Sequence, residues 1–116
     1  MIVRGRELAP FDFEGLSILE YTRGLENPSS SFAVIEVPAG VRHREARSHR
    51  CDKLYYLLAG TIEFSLDGER FVLNERDVCI VPRGHRFAYR NGSPEAARLI
   101  LVHTPKFDLE AEEFLE

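Results

Sequence analysis

Along most of this 116-residue chain, apolar and polar positions alternate with a period of two rather than 3.6, the pattern of half-buried strands. Residues 61–66 are the cleanest case: Ile62, Phe64 and Leu66 share one face, and Thr61, Glu63 and Ser65 share the other. Asp67-Gly68 follows, a dipeptide suited to a two-residue hairpin turn whose central positions both need positive φ. Residues 69–73 then return as the partner strand. Further strands are predicted over 16–22, 31–37, 53–59, 78–81, 86–90 and 97–103, with Gly, Pro, Asn and Ser clusters between them. Many short strands at close spacing predict an all-β sandwich or barrel, with Ile62, Phe64, Leu66, Val78 and Ile80 in its core. One helix is predicted, a short one over 109–115 capped by Asp108.

Length allows one domain: an N-terminal strand arm over 1–30, a barrel core over about 31–105 and an acidic tail over 106–116. The apolar runs are strand-sized, so none can cross a bilayer as a helix, and the first residues lack the apolar core of a signal peptide. Net charge is −4, and five acids without a base between 108 and 116 account for more than all of it. That balance argues against nucleic acid as a partner. Arg42, Arg44, Arg47 and Arg50 read in part as a solvated face. Two cysteines cannot build a disulfide framework, which points to a cytoplasmic protein. Cys79 reads as a small core filler, and Cys51 as the more exposed thiol.

The stretch from Gly40 to Gly60 reads GVRHREARSHRCDKLYYLLAG, and Pro82 to Asn91 reads PRGHRFAYRN. With the hairpin TIEFSLDGERFVL between them, these segments resemble the two motifs of the cupin superfamily, a jelly-roll double-stranded β-helix. The resemblance implies metal-ligand positions at Arg47, His49, Lys53 and Phe87. Only His49 of these can ligate, since protonated Arg and Lys have no lone pair to give. No bound metal is therefore expected; the alternative is a divalent transition metal held by His49, His85 and His103, or with Glu45 in place of the last. One residue more than the family spacing separates Gly40 from Arg47, which shifts the local register.

His43, Glu45, Arg47 and His49 share parity on a regular strand, but His43 and His49 would sit roughly 20 Å apart. In the cupin reading Arg47, His49, Lys53, Tyr55 and Leu57 point inward, with Phe87 and Tyr89 across the barrel. Two cations in place of two metal ligands suit a carboxylate or phosphate. His49, held neutral between cations, is the candidate general base, with Tyr55 as a second catalytic group. The expected ligand-binding set is Arg47, His49, Lys53, Tyr55, Phe87, Tyr89 and His103, around a small anionic molecule. If Glu45 or Asp52 neutralises the cations, that preference weakens. Alternatives are a metal-dependent dioxygenase or sugar isomerase, and a non-catalytic sensing module. A homodimer is expected, both from the resemblance and because 16–22 and 31–37 would otherwise leave a hydrophobic edge bare.

Overall fold

The computed structural model describes residues 1–116, which form eleven strands, two short 3-10 turns and no α-helix. The strands are β1 (Phe11–Phe13), β2 (Leu16–Glu20), β3 (Ser31–Val37), β4 (Arg42–Ser48), β5 (Asp52–Ala59), β6 (Ile62–Leu66), β7 (Glu69–Leu73), β8 (Val78–Val81), β9 (Phe87–Arg90), β10 (Ala97–Thr104) and β11 (Glu112–Phe114). They pair antiparallel throughout, as a six-stranded sheet β1-β2-β3-β10-β5-β8 and a five-stranded sheet β11-β4-β9-β6-β7. Two faced sheets with this order make an all-β barrel, as the alternation predicts, and of the jelly-roll kind that the resemblance implies. No helix is long and apolar enough to cross a membrane.

The core lies between the sheets, where Leu16, Ile35, Leu57, Ile62, Phe64, Leu99 and their neighbours are excluded from solvent. Ile62 and Phe64 sit there as expected, and Leu66 packs at its margin. Asp67 and Gly68 take φ of 50° and 83°, as a turn positive at both centres requires. Gly60 has φ of 90°, and a Cβ there would meet Ala97 at 3.0 Å, so this turn between β5 and β6 needs glycine.

Three expectations are corrected. Val78 and Ile80 point outward and are about half exposed, while Cys79 and Val81 fill the core. The register explains it: Cys79 stands opposite Tyr55, and Val81 opposite Lys53, both inward residues, and paired residues share a face. The tail is not helical. Asp108 does cap, accepting from the Glu110 amide at 3.0 Å, but it caps a single 3-10 turn, Leu109–Ala111, before β11 pairs with β4. Seven residues form a poor isolated helix, whereas a strand satisfies the β4 edge and buries alternate side chains. The segments expected to leave an open edge do not: β3 lies between β2 and β10, and β2 is covered by β1.

The outer face of the six-stranded sheet has an apolar centre instead, flanked by charged residues such as Glu36 and Arg98. Phe32, Val102, Leu54 and Ile80 stand in one cross-strand row, and Val34, Ile100, Tyr56 and Val78 in the next.

Candidate functional site

Strand β4 decides what faces the interior. His43 pairs with Tyr89 but Ala46 pairs with Phe87, so one extra residue is accommodated between them and the ladder shifts. A bulge of this kind exchanges the inner and outer faces beyond it. His43 therefore points inward, Ala46 and Ser48 follow inward, and Arg47 and His49 turn out. This corrects the inward assignment of Arg47 and His49. Arg47 makes a forked contact with Glu113 at 2.9–3.2 Å, and His49 Nε2 lies 3.3 Å from the same carboxylate. The extra residue after Gly40 is the visible signature of the bulge.

The remaining expected residues do converge. Lys53, Tyr55, Phe87, Tyr89 and His103 are all buried inside the barrel. Tyr55 lies against Phe87, Tyr89 and Phe64 with ring centroids 5.3–5.8 Å apart. Burial pushes both tyrosine hydroxyls well above their usual range, so they stay protonated. The Tyr89 hydroxyl is enclosed and has no hydrogen-bond partner.

His43 joins this group, and its role was missed in the sequence. Its ring sits 5.0 Å from Phe87 and 5.2 Å from Tyr89, and Phe13 and Phe114 close over it at 5.7 and 6.3 Å. Nδ1 lies 2.7 Å from the Arg44 carbonyl, which can only accept, so the proton is on Nδ1 and Nε2 keeps its lone pair. Desolvation, aided by the charge of Lys53, lowers its pKa to about 4, and the ring is neutral at neutral pH.

Glu112, the second missed residue, reaches in from β11 to form an ion pair with Lys53. Both side chains are at most 5% exposed. Lys53 also donates to His103 Nε2 at 3.1 Å, and its ammonium lies over the rings of Phe87 and Phe107. Burial lowers the lysine pKa and Glu112 opposes that shift, while burial and Lys53 together lower His103 to about 3. The second Glu112 oxygen is enclosed without a partner. The acids that neutralise Arg47 and Lys53 are thus Glu113 and Glu112, not Glu45 or Asp52.

The interior does not fit a metal. No three His, Cys, Asp or Glu side chains are grouped to hold an ion. The alternative trio is dispersed: His49 is outside with Glu113, His85 is exposed against Asp67 at 2.5 Å, and His103 is inside on Lys53. Asn91, which matches the second motif, is structural: its amide donates to the Val37 and Glu95 carbonyls and its oxygen accepts from Ser93. Cys51 is buried rather than exposed, and its thiol donates to the Pro105 and Lys106 carbonyls. Cys79 fills core space as expected.

The acidic tail and the arginine-rich strand prove to be one feature. Arg42, Arg47 and Arg50 face Glu116, Glu113 and Asp108, and Arg44 lies 4.1 Å above the Phe114 ring while holding Glu14. An open groove of about 680 Å³ lies outside, on the five-stranded sheet, with Arg42, Glu63, Ser65, Ala88 and Arg90 among its lining. Arg42 pairs there with Glu116 and Arg90 with Glu63, while Arg70 at its rim has no ion-pair partner.

The fold has clear relatives. The Streptomyces protein Pac13, described as a unique nucleoside dehydratase, superposes with a TM-score of 0.86 at 22% identity, over 100% of this chain and 91% of its own. It has been solved with uridine in forms substituted at one histidine or at either of two tyrosines. The cupin domain of Schizosaccharomyces pombe Cnp3 superposes at 0.75 with 27% identity, over 86% of this chain and 70% of its own. In sequence, the inner kinetochore subunit cnp3 of the same yeast is 33% identical over 78 residues, 67% of this chain; the match spans only 12% of that protein's length. The cupin domain family model matches residues 33–103, most of the barrel. This chain belongs to the cupin domain family.

Proposed function

We propose that this cupin binds a small, ring-bearing polar molecule with an acidic group inside the barrel, without a metal, and moves a proton there. One observation carries the reading: the unpartnered Tyr89 hydroxyl stands beside a histidine whose Nε2 lone pair is free. A buried polar group without a partner costs about 1–3 kcal/mol, so it calls for a use. In this reading His43 takes a proton from the ligand at Nε2, and Tyr89 donates a hydrogen bond to the oxygen where charge develops. Tyr55 and Phe87 form the wall against the ring, and Lys53 attracts the acidic group. His49, outside the barrel, takes no part. The Streptomyces relative supports the choice of chemistry, since it acts on a nucleoside and its studied variants alter the same residue types, a histidine and two tyrosines.

The test is a thermal-shift and turnover screen of nucleosides, nucleoside monophosphates and sugar acids against wild type, Tyr89→Phe and His43→Asn. Tyr89→Phe should fold as well as wild type, because it deletes an unsatisfied hydroxyl, and should lose most of its turnover. Wild-type response to none of these ligands, or turnover unaffected in both variants, refutes the reading.

A second reading, a non-catalytic assembly module, is favoured by the kinetochore relative and by the outer face of the six-stranded sheet. Its two rows of four apolar residues contain no charge, and a two-fold interface needs a patch complementary to itself. The occupant is a second copy of this chain. Light scattering should give a dimer mass, and Ile80→Glu a monomer; a monomeric wild type removes this reading.

A further inference from the structure

The interior described above is closed. His43 is roofed by Phe13 and Phe114, and Lys53 by Phe107 and Glu112, so three of the four covering residues belong to the C-terminal segment. That segment has two parts. Pro105, Lys106 and Phe107 are anchored, by the Cys51 thiol on two carbonyls and by the Ser31 hydroxyl accepting from the Phe107 amide at 2.8 Å. Residues 108–116 are held differently. They contact the barrel through the short β4 pairing, which includes the His49 amide on the Ala111 carbonyl and the Leu115 amide on the Glu45 carbonyl, through Phe114 packed on Phe13 and His43, and through exposed arginine pairs. Exposed pairs are weak and screened by salt.

Only one charged contact of this strap lies inside, Glu112 on Lys53, and it is incompletely satisfied because the second carboxylate oxygen has no partner. An acidic group of a ligand with more acceptors could replace it. We propose that residues 108–116 are a displaceable strap, and that Glu112 occupies in the closed state the position on Lys53 that an oxyanion of the ligand, carboxylate or phosphate, takes in the open one. The inference rests on the reading that the interior binds a small acidic molecule, and adds that this molecule must compete with the chain's own carboxylate. The strap then suppresses binding of anything lacking an acidic group, since such a molecule cannot replace Glu112.

Inorganic phosphate is the probe, titrated at constant ionic strength so that screening of the outer arginine pairs does not change. Removing the competitor in Glu112→Gln should tighten the apparent phosphate affinity, read from the melting temperature, by roughly tenfold or more over wild type. The response should vanish in Lys53→Met/Glu112→Gln. In wild type, hydrogen exchange at the His49 and Leu115 amides should accelerate as phosphate rises, a measurement that needs no variant to fold. Equal phosphate responses in wild type and Glu112→Gln, a response that survives loss of Lys53, or unmoved strap amides would each overturn the proposal. The outcomes separate from those of the proton-transfer reading. Phosphate displacement with no turnover of any ligand sinks that reading alone; a ligand that turns over while the strap amides stay protected sinks the strap alone.

Discussion

The two faces of β11 carry adjacent glutamates with opposite fates. Glu112 turns in to Lys53, where both side chains are nearly sealed from water, and Glu113 turns out to Arg47, where each is about one-third exposed. Both pairs start from neighbouring residues of β11, one reaching β5 and the other β4, and the pleat alone assigns one to the interior. What differs is the cost of losing a partner. In the interior, an uncompensated charge has no water to turn to; outside, it is simply rehydrated. Charge pairing here serves two purposes, attaching the strap at its surface and neutralising the buried Lys53 beneath it.

The largest expected effect breaks the inner pair. Lys53→Met leaves the Glu112 carboxylate without its counter-charge and should lower the unfolding free energy by about 3–5 kcal/mol in urea at neutral pH. Lys53→Met/Glu112→Leu removes both charges and should recover most of that loss. A double variant as unstable as the single one would show that the lysine stem, not the charge, supports the barrel.

Acid sharpens the same contrast. His43 and His103 both titrate far below the ordinary histidine value, at about 4 and 3, so the unfolded chain binds protons that the folded chain refuses. Stability is complete above the unfolded value of about 6.5 and falls as pH drops from there toward 4. The His43 contribution amounts to roughly 3 kcal/mol over that range. His43→Leu should remove that share of the fall between pH 6.5 and 4 and leave the part that His103 contributes, measured by urea midpoints at each pH.

Much of the architecture was legible because alternation is a local signal. The strands 31–37, 69–73 and 78–81 fall where periodicity places them, and the motif spacing supplied the family. Facing was harder. A strand with one inserted residue reverses its faces beyond the insertion, so His43 and His49, of one parity on a regular strand, end on opposite faces, although the extra residue after Gly40 was visible. For β8, Val78 and Ile80 look like core by hydrophobicity, yet Cys79 and Val81 are inside because pairing with Tyr55 and Lys53 fixes parity. The tail was misread for a related reason. On a strand Glu112 and Phe114 share one face and Glu113 takes the other, but nothing within the segment says that β4 offers an open edge. Four arginines in β4 and its following turn, and five acids in the tail, are complementary, a long-range signal that only the sheet brings into contact.

The smallest expected effect lies on the outer face, and it is also the most informative about the strap. Arg47→Ala removes the forked contact to Glu113 and frees His49 from the same carboxylate. Both partners remain hydrated, so the global unfolding midpoint should shift far less than in Lys53→Met, and the shift should shrink further when salt is raised to about 0.5 M. The strap amides should respond more than the midpoint does, because local opening draws on the weak outer contacts before the core is disturbed. Leu115 and His49 amides exchanging faster in Arg47→Ala, with Tyr55 and Leu99 amides unchanged, would place the outer pair in attachment of the strap. Equal protection in wild type and variant would leave Glu112 and Phe114 as the contacts that hold it.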